Sequence, residues 1–312
     1  MSINTPIVSI FICTYNQEDY IEQTLNSFLK QKCTFDYEIV IAEDQSKDRT
    51  LEICQEYALK NEMKINILSR KKNLGLIENF FRGITSCKGK YIAMCGGDDY
   101  WTDKTKLQKQ VDFMESNEDY VITYTDSIMI SNDGNVISNT EVGAENLKDF
   151  SKIDLQKGAF ISPRTMLFRN ILDFNKINYS GIVQEDAFLI SLLGKYGKGK
   201  FLESIKPSVY RILDHGIWSS QSEIERLLSS RFTYKKLSLI YKDNKEINEY
   251  YKERIRHNIN RALYLSVEEK KTKHLIKSFF LGLKLKKNWN NINHIIAINK
   301  DFFSYFFRLK FI

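Results

Sequence analysis

The chain has 312 residues, 43% of them hydrophobic and 27% charged, with 46 Lys and Arg against 39 Asp and Glu for a formal net charge of +7. That length suits one catalytic domain plus an appendage, with ample material for a core. Five cysteines, Cys13, Cys33, Cys54, Cys87 and Cys95, are odd in number, form no CxxC pair and sit mostly in apolar patterns, which excludes a disulfide or zinc framework and points to reduced thiols in a cytoplasmic protein. No basic and apolar leader precedes the first strand pattern, and no apolar stretch is long enough to span a bilayer.

In chain order, Ile7-Val8-Ser9-Ile10-Phe11-Ile12-Cys13 is a nearly continuous apolar run rich in β-branched residues, the pattern of a strand covered on both faces of a parallel sheet. It stops at Thr14-Tyr15-Asn16, and Ile21, Leu25, Phe28 and Leu29 then recur at helical spacing, with Asn16 as the expected cap. Glu38 to Ala42 repeats the strand signal and ends at Glu43-Asp44-Gln45-Ser46, before a helix carrying Leu51, Cys54 and Ala58. Ile65 to Leu68 gives a third strand, closed by Asn73-Leu74-Gly75, and Tyr91 to Cys95 gives a fourth, closed by Gly96-Gly97-Asp98-Asp99-Tyr100-Trp101. Four alternations of strand and helix predict a mostly parallel α/β sheet.

In open sheets of this kind ligands bind beyond the carboxyl ends of the strands. The polar clusters at Thr14 to Asn16, Glu43-Asp44, Asn73 with Gly75, and Asp98-Asp99 are therefore expected on one rim. Adjacent carboxylates repel, and desolvation disfavours their ionised forms, so Asp98 and Asp99 need a cation or strong donors nearby. A divalent metal carrying a phosphate is the natural partner. The other reading is that the two acids cap the next helix. No GxGxxG follows the first strand and no GxxxxGK[ST] occurs, which removes the main support for a dehydrogenase or a P-loop NTPase.

These blocks, Pro6 to Asn16, Glu43 to Asp48, Asn73 to Gly75 and Gly97 to Trp101, resemble in order and spacing those of a family 2 glycosyltransferase with the GT-A fold. Gln184-Glu185-Asp186 resembles the family's acidic block, and Tyr210 to Ser219 the block that closes its catalytic domain. The resemblance covers about residues 6 to 220. It implies an inverting transfer of a sugar from a nucleoside-diphosphate sugar, UDP-sugar as the first expectation, to a saccharide or lipid-linked saccharide. It also implies a place in bacterial cell-surface polysaccharide synthesis. Asp44 is expected to accept a hydrogen bond from the nucleobase, with Thr14, Tyr15 and Asn16 lining the same pocket and Asn73, Gly75 and Gly97 completing the donor site. Asp98 matches the second acid of the family's DxD-type motif and is assigned to Mn2+ or Mg2+ on the diphosphate. Gly96 stands where the first acid often lies, so Asp99 is the substitute carboxylate, unless it only holds the loop or the bound sugar.

The transfer also needs a base to take the acceptor's proton as the new bond forms. Asp186 matches that residue, with Glu185 as the alternative, and both also suit a helix start. His215 is expected to complete the metal shell or contact the diphosphate, and Arg211 to pair with phosphate oxygens. Ser162 to Phe168 reads as a loop entering a short strand. Trp101, Arg164, Thr165 and Trp218 are the candidates to face the acceptor, though Trp218 also suits packing of a lid. The expected boundary lies near residue 220, with a nucleotide-sugar half to about 126, an acceptor half to about 220, and a mainly helical region over 221–312.

From Arg226 onward there are 20 Lys and Arg against 7 Asp and Glu, leaving 26 against 32 before it, so the basic excess is all in the tail. Gly282 is the only glycine or proline there, and Leu275, Ile276, Phe279, Phe280 and Leu283 recur at helical spacing among lysines. Such a basic amphipathic helix, with Phe302 to Leu309 behind it, fits an anionic membrane surface at the inner face of the plasma membrane. It equally fits a helical bundle packed on the catalytic domain or on a second subunit. Nucleic acid is not expected, given the acidic front half and the lack of a binding motif. Two further functional classes stay open. One is a catalytically impaired binding or assembly module, suggested by Gly96. The other is a sugar nucleotidyltransferase, which would be expected to show a Gly-rich, basic loop where Thr14-Tyr15-Asn16-Gln17 stands.

Overall fold

A computed structural model describes residues 5–61, 64–68, 71–213, 216, 220–269 and 271–285. The chain divides into two compact units, Met1–Ser219 and Ser220–Ile312.

In the first unit, β1 (Val8–Thr14), β2 (Tyr37–Glu43), β3 (Ile65–Ile67) and β4 (Tyr91–Gly96) alternate with α1 (Ile21–Leu29), α2 (Thr50–Lys60), α3 (Leu76–Thr85) and α4 (Lys106–Ser116). β1 is buried along almost its whole length, as its unbroken apolar run requires of a strand with helices on both faces. β2, β5 (Tyr120–Tyr124), β8 (Leu167–Arg169) and β9 (Lys198–Phe201) complete a seven-stranded sheet in the order β3-β2-β1-β4-β8-β5-β9. Its first four strands run parallel, and β8 alone runs against both its neighbours. A second sheet sets β10 (Ser208–Arg211) beside β6 (Ser127–Ile130) and β7 (Val136–Ser138). It joins the first through Tyr100, which bridges Val209. α5 (Lys152–Gln156) and α6 (Glu185–Leu193) follow the long connections.

Two expectations about helix starts fail. α1 begins only at Ile21, with Tyr20 and not Asn16 at its cap. Asn16 instead adopts φ 53°, a left-handed conformation that Asn tolerates, and its side-chain oxygen accepts the Lys47 N–H at 2.8 Å. Asp98 and Asp99 cap nothing, because α4 starts seven residues later behind Thr105. The core between β1, β2, β4 and their helices includes Ile10, Ile12, Ile39, Ile41, Ala93, Phe28 and Leu107. Each large side chain buried there contributes about 1.5–3 kcal/mol.

The second unit is helical: α7 (Glu223–Ile240), α8 (Lys245–Glu268) and α9 (Thr272–Leu285). Ser222 and Glu225 form a reciprocal capping box that starts α7. On α8, Ile247, Tyr251, Ile255 and Ile259 recur every four residues and are buried, so one stripe of a largely polar helix supplies its packing face. The aromatic run Phe302 to Leu309 lies outside the described residues.

Candidate active site

The parallel register brings the expected strand ends together. Thr14 lies beside Glu43, and Cys13 beside Gly96. The Asp44 N–H donates to the Thr14 carbonyl at 3.2 Å. Both turns that leave β1 and β2 carry a non-glycine residue at positive φ, Asn16 at 53° and Gln45 at 60°. Such strain is held in place only by surrounding contacts. Here the two loops lock each other: the Asn16 N–H donates to Ser46 Oγ at 3.0 Å, and the Gln45 and Ser46 N–H groups donate to the Glu43 carboxylate at 3.0 and 2.6 Å. Thr14 is buried and its hydroxyl donates to Gln17 Oε1 at 2.7 Å. Gly97 lies against that pair, so that a methyl group on it would come within 2.7 Å of Thr14 Oγ1. Tyr15 stands at the rim with 36% of its surface exposed, free to offer a ring face.

Asp44 is buried and already has donors. Its carboxylate accepts the N–H groups of Leu74 at 2.7 Å and Gly75 at 2.9 Å, while Asn73 Nδ2 donates to its carbonyl at 2.7 Å. Gly75 makes this clamp with φ 79°, a conformation costly for any residue with a Cβ. Asp44 therefore fixes the loop after β3, and only the outward lone pairs of its carboxylate remain to receive a ligand.

The consecutive acids after β4 have different fates. Asp99 is buried and accepts from Arg164 Nε at 2.7 Å and from the Arg211 N–H at 3.0 Å. Asp98 keeps part of its surface open, and among the described residues no side-chain donor reaches its carboxylate. Burial, and then repulsion by Asp99, push its carboxyl up to about 7, against the pull of its own backbone N–H, Arg164 and Arg211. Both carboxylates lean over Gly96, where an added Cβ would lie 2.7 Å from Asp98 Oδ1 and 3.1 Å from Asp99 Oδ2. An acid at position 96 would be forced onto both of them. The glycine makes room for the pair, and Asp99 is the acid that holds the loop.

A second acidic pair opens α6. Burial raises the Glu185 carboxyl to about 8, aided by the charge of Asp186, and burial also raises Asp186, whose Oδ1 accepts the Ala187 N–H at 2.7 Å. Glu185 and Asp44 both act on the half-buried Cys13, whose thiol burial already pushes well up, and Arg164 and Glu141 both act on Asp186. The start of α6 is thus within electrostatic reach of the rim, and Arg164 connects the two acidic pairs.

Three residues expected to face an acceptor are turned inward. Trp101 is buried, packs on Phe28 with ring centroids 4.5 Å apart, and donates its indole N–H to the Arg164 carbonyl at 2.8 Å. Thr165 is buried and donates to the Ser162 carbonyl at 2.8 Å. Arg164, in the 3-10 turn Pro163–Thr165, is enclosed by Asp99, Glu141, Ser162 and the Tyr210 ring, whose centroid lies 3.8 Å from the guanidinium carbon. Its acidic partners outweigh burial and hold its pKa above the usual arginine range. Arg211 is likewise buried: its guanidinium donates to the Asp98 carbonyl at 3.4 Å, the Asn132 carbonyl at 3.1 Å and Gln23 Oε1 at 2.9 Å, and lies over the Tyr20 ring. Arginines that look like ligand contacts in the sequence therefore brace the acidic loop. His215 and Trp218 lie outside the described residues.

Glu141 is the site residue that sequence reasoning missed. It lies in the loop after β7, pairs with Arg164 and accepts from Ser127 Oγ. Arg164 and these hydroxyls hold its carboxyl below the usual range despite burial, which acts the other way. Lys106 was missed too. It is fully buried, donates to the Thr165 carbonyl at 2.9 Å and Gln110 Oε1 at 2.6 Å, and burial pulls its ammonium down to about 7. Neither sits in a recognisable motif. Only a lone charge on an otherwise core-facing position of α4 signals Lys106.

A mostly parallel sheet flanked by helices, with carboxylates at its strand ends, is the GT-A class of fold. The fold of Staphylococcus aureus TarS, solved in complex with UDP-GlcNAc, matches with a TM-score of 0.63 at 18% identity, over 87% of this chain and 79% of that one. An uncharacterized protein of Mycobacterium tuberculosis is 32% identical over 223 residues, 68% of this chain and 61% of its own length, so the chain spans about three-fifths of that relative. A putative teichuronic acid biosynthesis glycosyltransferase of Bacillus subtilis, TuaG, is 33% identical over 129 residues, 41% of this chain and 50% of its own. Residues 9–173, more than half of the chain, match the family model Glycosyl transferase family 2, and the chain belongs to that family.

Proposed function

We propose that the protein is an inverting glycosyltransferase that moves a sugar from a nucleoside-diphosphate sugar, with uridine as the first nucleoside to try, to a hydroxyl of a saccharide or lipid-linked saccharide in cell-surface polysaccharide synthesis. The observation that carries this reading is that an open, charge-stressed carboxylate, Asp98, stands on the same rim as Asp44, with Asp186 within electrostatic reach through Arg164. The nucleotide lies over the Thr14, Tyr15 and Asp44 end of the rim, and its diphosphate reaches Asp98.

A divalent cation fits this donor set. Asp98 is an oxygen ligand whose ionised form is disfavoured until a positive charge arrives, and Mg2+-like sites commonly use one or two carboxylates with substrate phosphates and water. Among the described residues no three His, Cys, Asp or Glu side chains converge, so of these Asp98 would be the ligand, joined by substrate phosphates and by His215, which lies outside the described residues. Bound there, Mn2+ or Mg2+ would neutralise charge on the leaving nucleoside diphosphate.

Asp186 takes the proton of the acceptor hydroxyl as its oxygen bonds to the anomeric carbon and the bond to the diphosphate breaks on the opposite face. A raised pKa suits a base that must compete for that proton near neutrality. Arg164 and Arg211 are positioning residues: they hold Asp99 and the backbone of Asp98 without touching substrate. Thermal-shift screening of nucleotide sugars with and without Mn2+, followed by assay of released nucleoside diphosphate, tests the reading. A cation-enhanced shift with one sugar nucleotide, lost in Asp98→Asn, is expected. No shift with any of them would overturn it.

A further inference from the structure

We infer that the helical unit carries a docking face for an anionic phospholipid surface, built from α7 and α9. The starting observation is a cavity of about 530 Å³ bordered by Arg231, Lys273, His274 and Lys277, with Glu225 as its one acidic neighbour. Glu225 is tied to Ser222 in the capping box and holds one negative charge near His274 and Lys277, which leaves the basic groups around the cavity in excess. Four basic side chains around one concave space form a seat for a phosphate-bearing headgroup.

The second observation concerns what surrounds that seat. Lys273 and Lys277 are one turn apart on α9, and Ile276 and Phe280, also one turn apart, occupy the adjoining strip of the same helix surface. Ile276 is 38% exposed and Phe280 57% exposed, both on the outside of the helix with the lysines. On α7, Phe232 is 45% exposed and lies under the Arg231 guanidinium, whose carbon is 3.9 Å from the ring centroid. The face therefore alternates exposed apolar side chains with cations.

Water is a poor partner for the first, and a protein core a poor partner for the second. The boundary between headgroups and acyl chains satisfies both, with cations meeting phosphate and aromatic rings entering the apolar edge. None of the described helices is long and apolar enough to cross a membrane. Charge complementarity selects an acidic surface: the chain from Arg226 onward holds 20 basic against 7 acidic residues, and each lysine or arginine near such a surface contributes about 1 kcal/mol. This inference does not depend on the donor or acceptor proposed above, and its failure would leave that reading standing.

The test uses the full chain and co-sedimentation with vesicles of phosphatidylglycerol and phosphatidylcholine, against vesicles of phosphatidylcholine alone. Binding to the acidic vesicles only, weakening as salt rises, is expected. Neutralising Arg231, Lys273 and Lys277 together (R231Q/K273Q/K277Q) should weaken it by about a hundredfold, about fivefold per charge. A control that removes three charges elsewhere in the same unit, K242Q/K245Q/K252Q, should cost much less. Phe232→Ser with Phe280→Ser should weaken binding without changing its salt dependence. Circular dichroism and unaltered transferase turnover confirm that the variants fold. Equal losses in the two triple variants would show diffuse attraction and overturn the assigned face. So would a thermal shift with inorganic phosphate alone without vesicle binding, which would make the cavity a small-anion site.

Discussion

The two pairs of consecutive acids in the catalytic unit, Asp98-Asp99 after β4 and Glu185-Asp186 at the start of α6, look alike in sequence and differ in what surrounds them. The first is braced by arginine: Asp99 is paired with Arg164 and capped by the Arg211 N–H, whereas Asp98 has no side-chain donor among the described residues and feels both arginines only at a distance. Burial is the largest influence on the second pair as it is on Asp98, and it pushes all three carboxyls toward the protonated form; what the second pair lacks, among the described residues, is a directly paired arginine. A raised carboxylate beside a fixed arginine network suits holding a cation-bound diphosphate, whereas a raised one without a paired arginine suits exchanging a proton. Neighbours sort the two roles, and residue type does not.

The strongest way to break this contrast is Asp186→Asn. It should lower kcat by about 10²–10⁴-fold, the usual loss of a general base, while Glu185→Gln retains most turnover. The reverse pattern would move the base by one residue. In Glu185→Gln the rising limb of kcat/KM with pH should keep its position, because burial rather than Glu185 raises Asp186.

Asp98→Asn should cost about 10²–10³-fold in kcat, as for loss of one preorganised electrostatic group, and should abolish any thermal shift given by Mn2+. The same substitution should stabilise the unliganded protein. A carboxyl whose pKa is higher folded than unfolded favours the folded state in acid, and that advantage is lost as pH rises from near 4 toward the folded value, about 7 for Asp98. The gain in Tm of Asp98→Asn over the native chain should therefore be larger at pH 8 than at pH 5. An equal gain at both would show that Asp98 is not stressed.

Glu141→Gln sharpens the comparison from the arginine side. Losing one of its two acidic partners, Arg164 should swing or pair more closely with Asp99, and turnover should fall by about tenfold, the size expected of an orienting partner. Asp186 should titrate at a different pH, since both Arg164 and Glu141 act on it. A kcat profile unchanged in height and position would remove Glu141 from the network. The smallest expected effect lies outside both pairs. Ser222→Ala removes the α7 capping box and should cost about 1 kcal/mol by denaturant melting without altering turnover.

Much of the donor half was legible before any coordinates. The β-branched runs of β1, β2 and β4 can be satisfied only inside a sheet covered on both faces, and their polar ends then have to share a rim, which is where Thr14, Asp44, Gly97 and Asp98 lie. The errors came where a side chain's direction depends on distant partners. Asn16 precedes a helix and still does not cap it, because its side chain locks the β2 turn. Trp101 and Arg164 carry the chemistry of sugar and phosphate recognition, yet both are used internally. Glu141 has no local signal at all.

By itself the sequence determined which segments become strands, in what order they alternate with helices, that carboxylates end two of the central strands, and that positive charge gathers in the last third of the chain. Periodicity, β-branching and charge counts are local properties, and the parallel sheet follows from them. Only the tertiary structure decided which acid of the Asp98-Asp99 pair stays open, which arginines are braces, and which cations of α7 and α9 border one cavity. Those outcomes turn on burial and on partners up to 188 residues away, as between Arg211 and Gln23, and no spacing within a segment encodes the desolvation that separates a committed carboxylate from an available one.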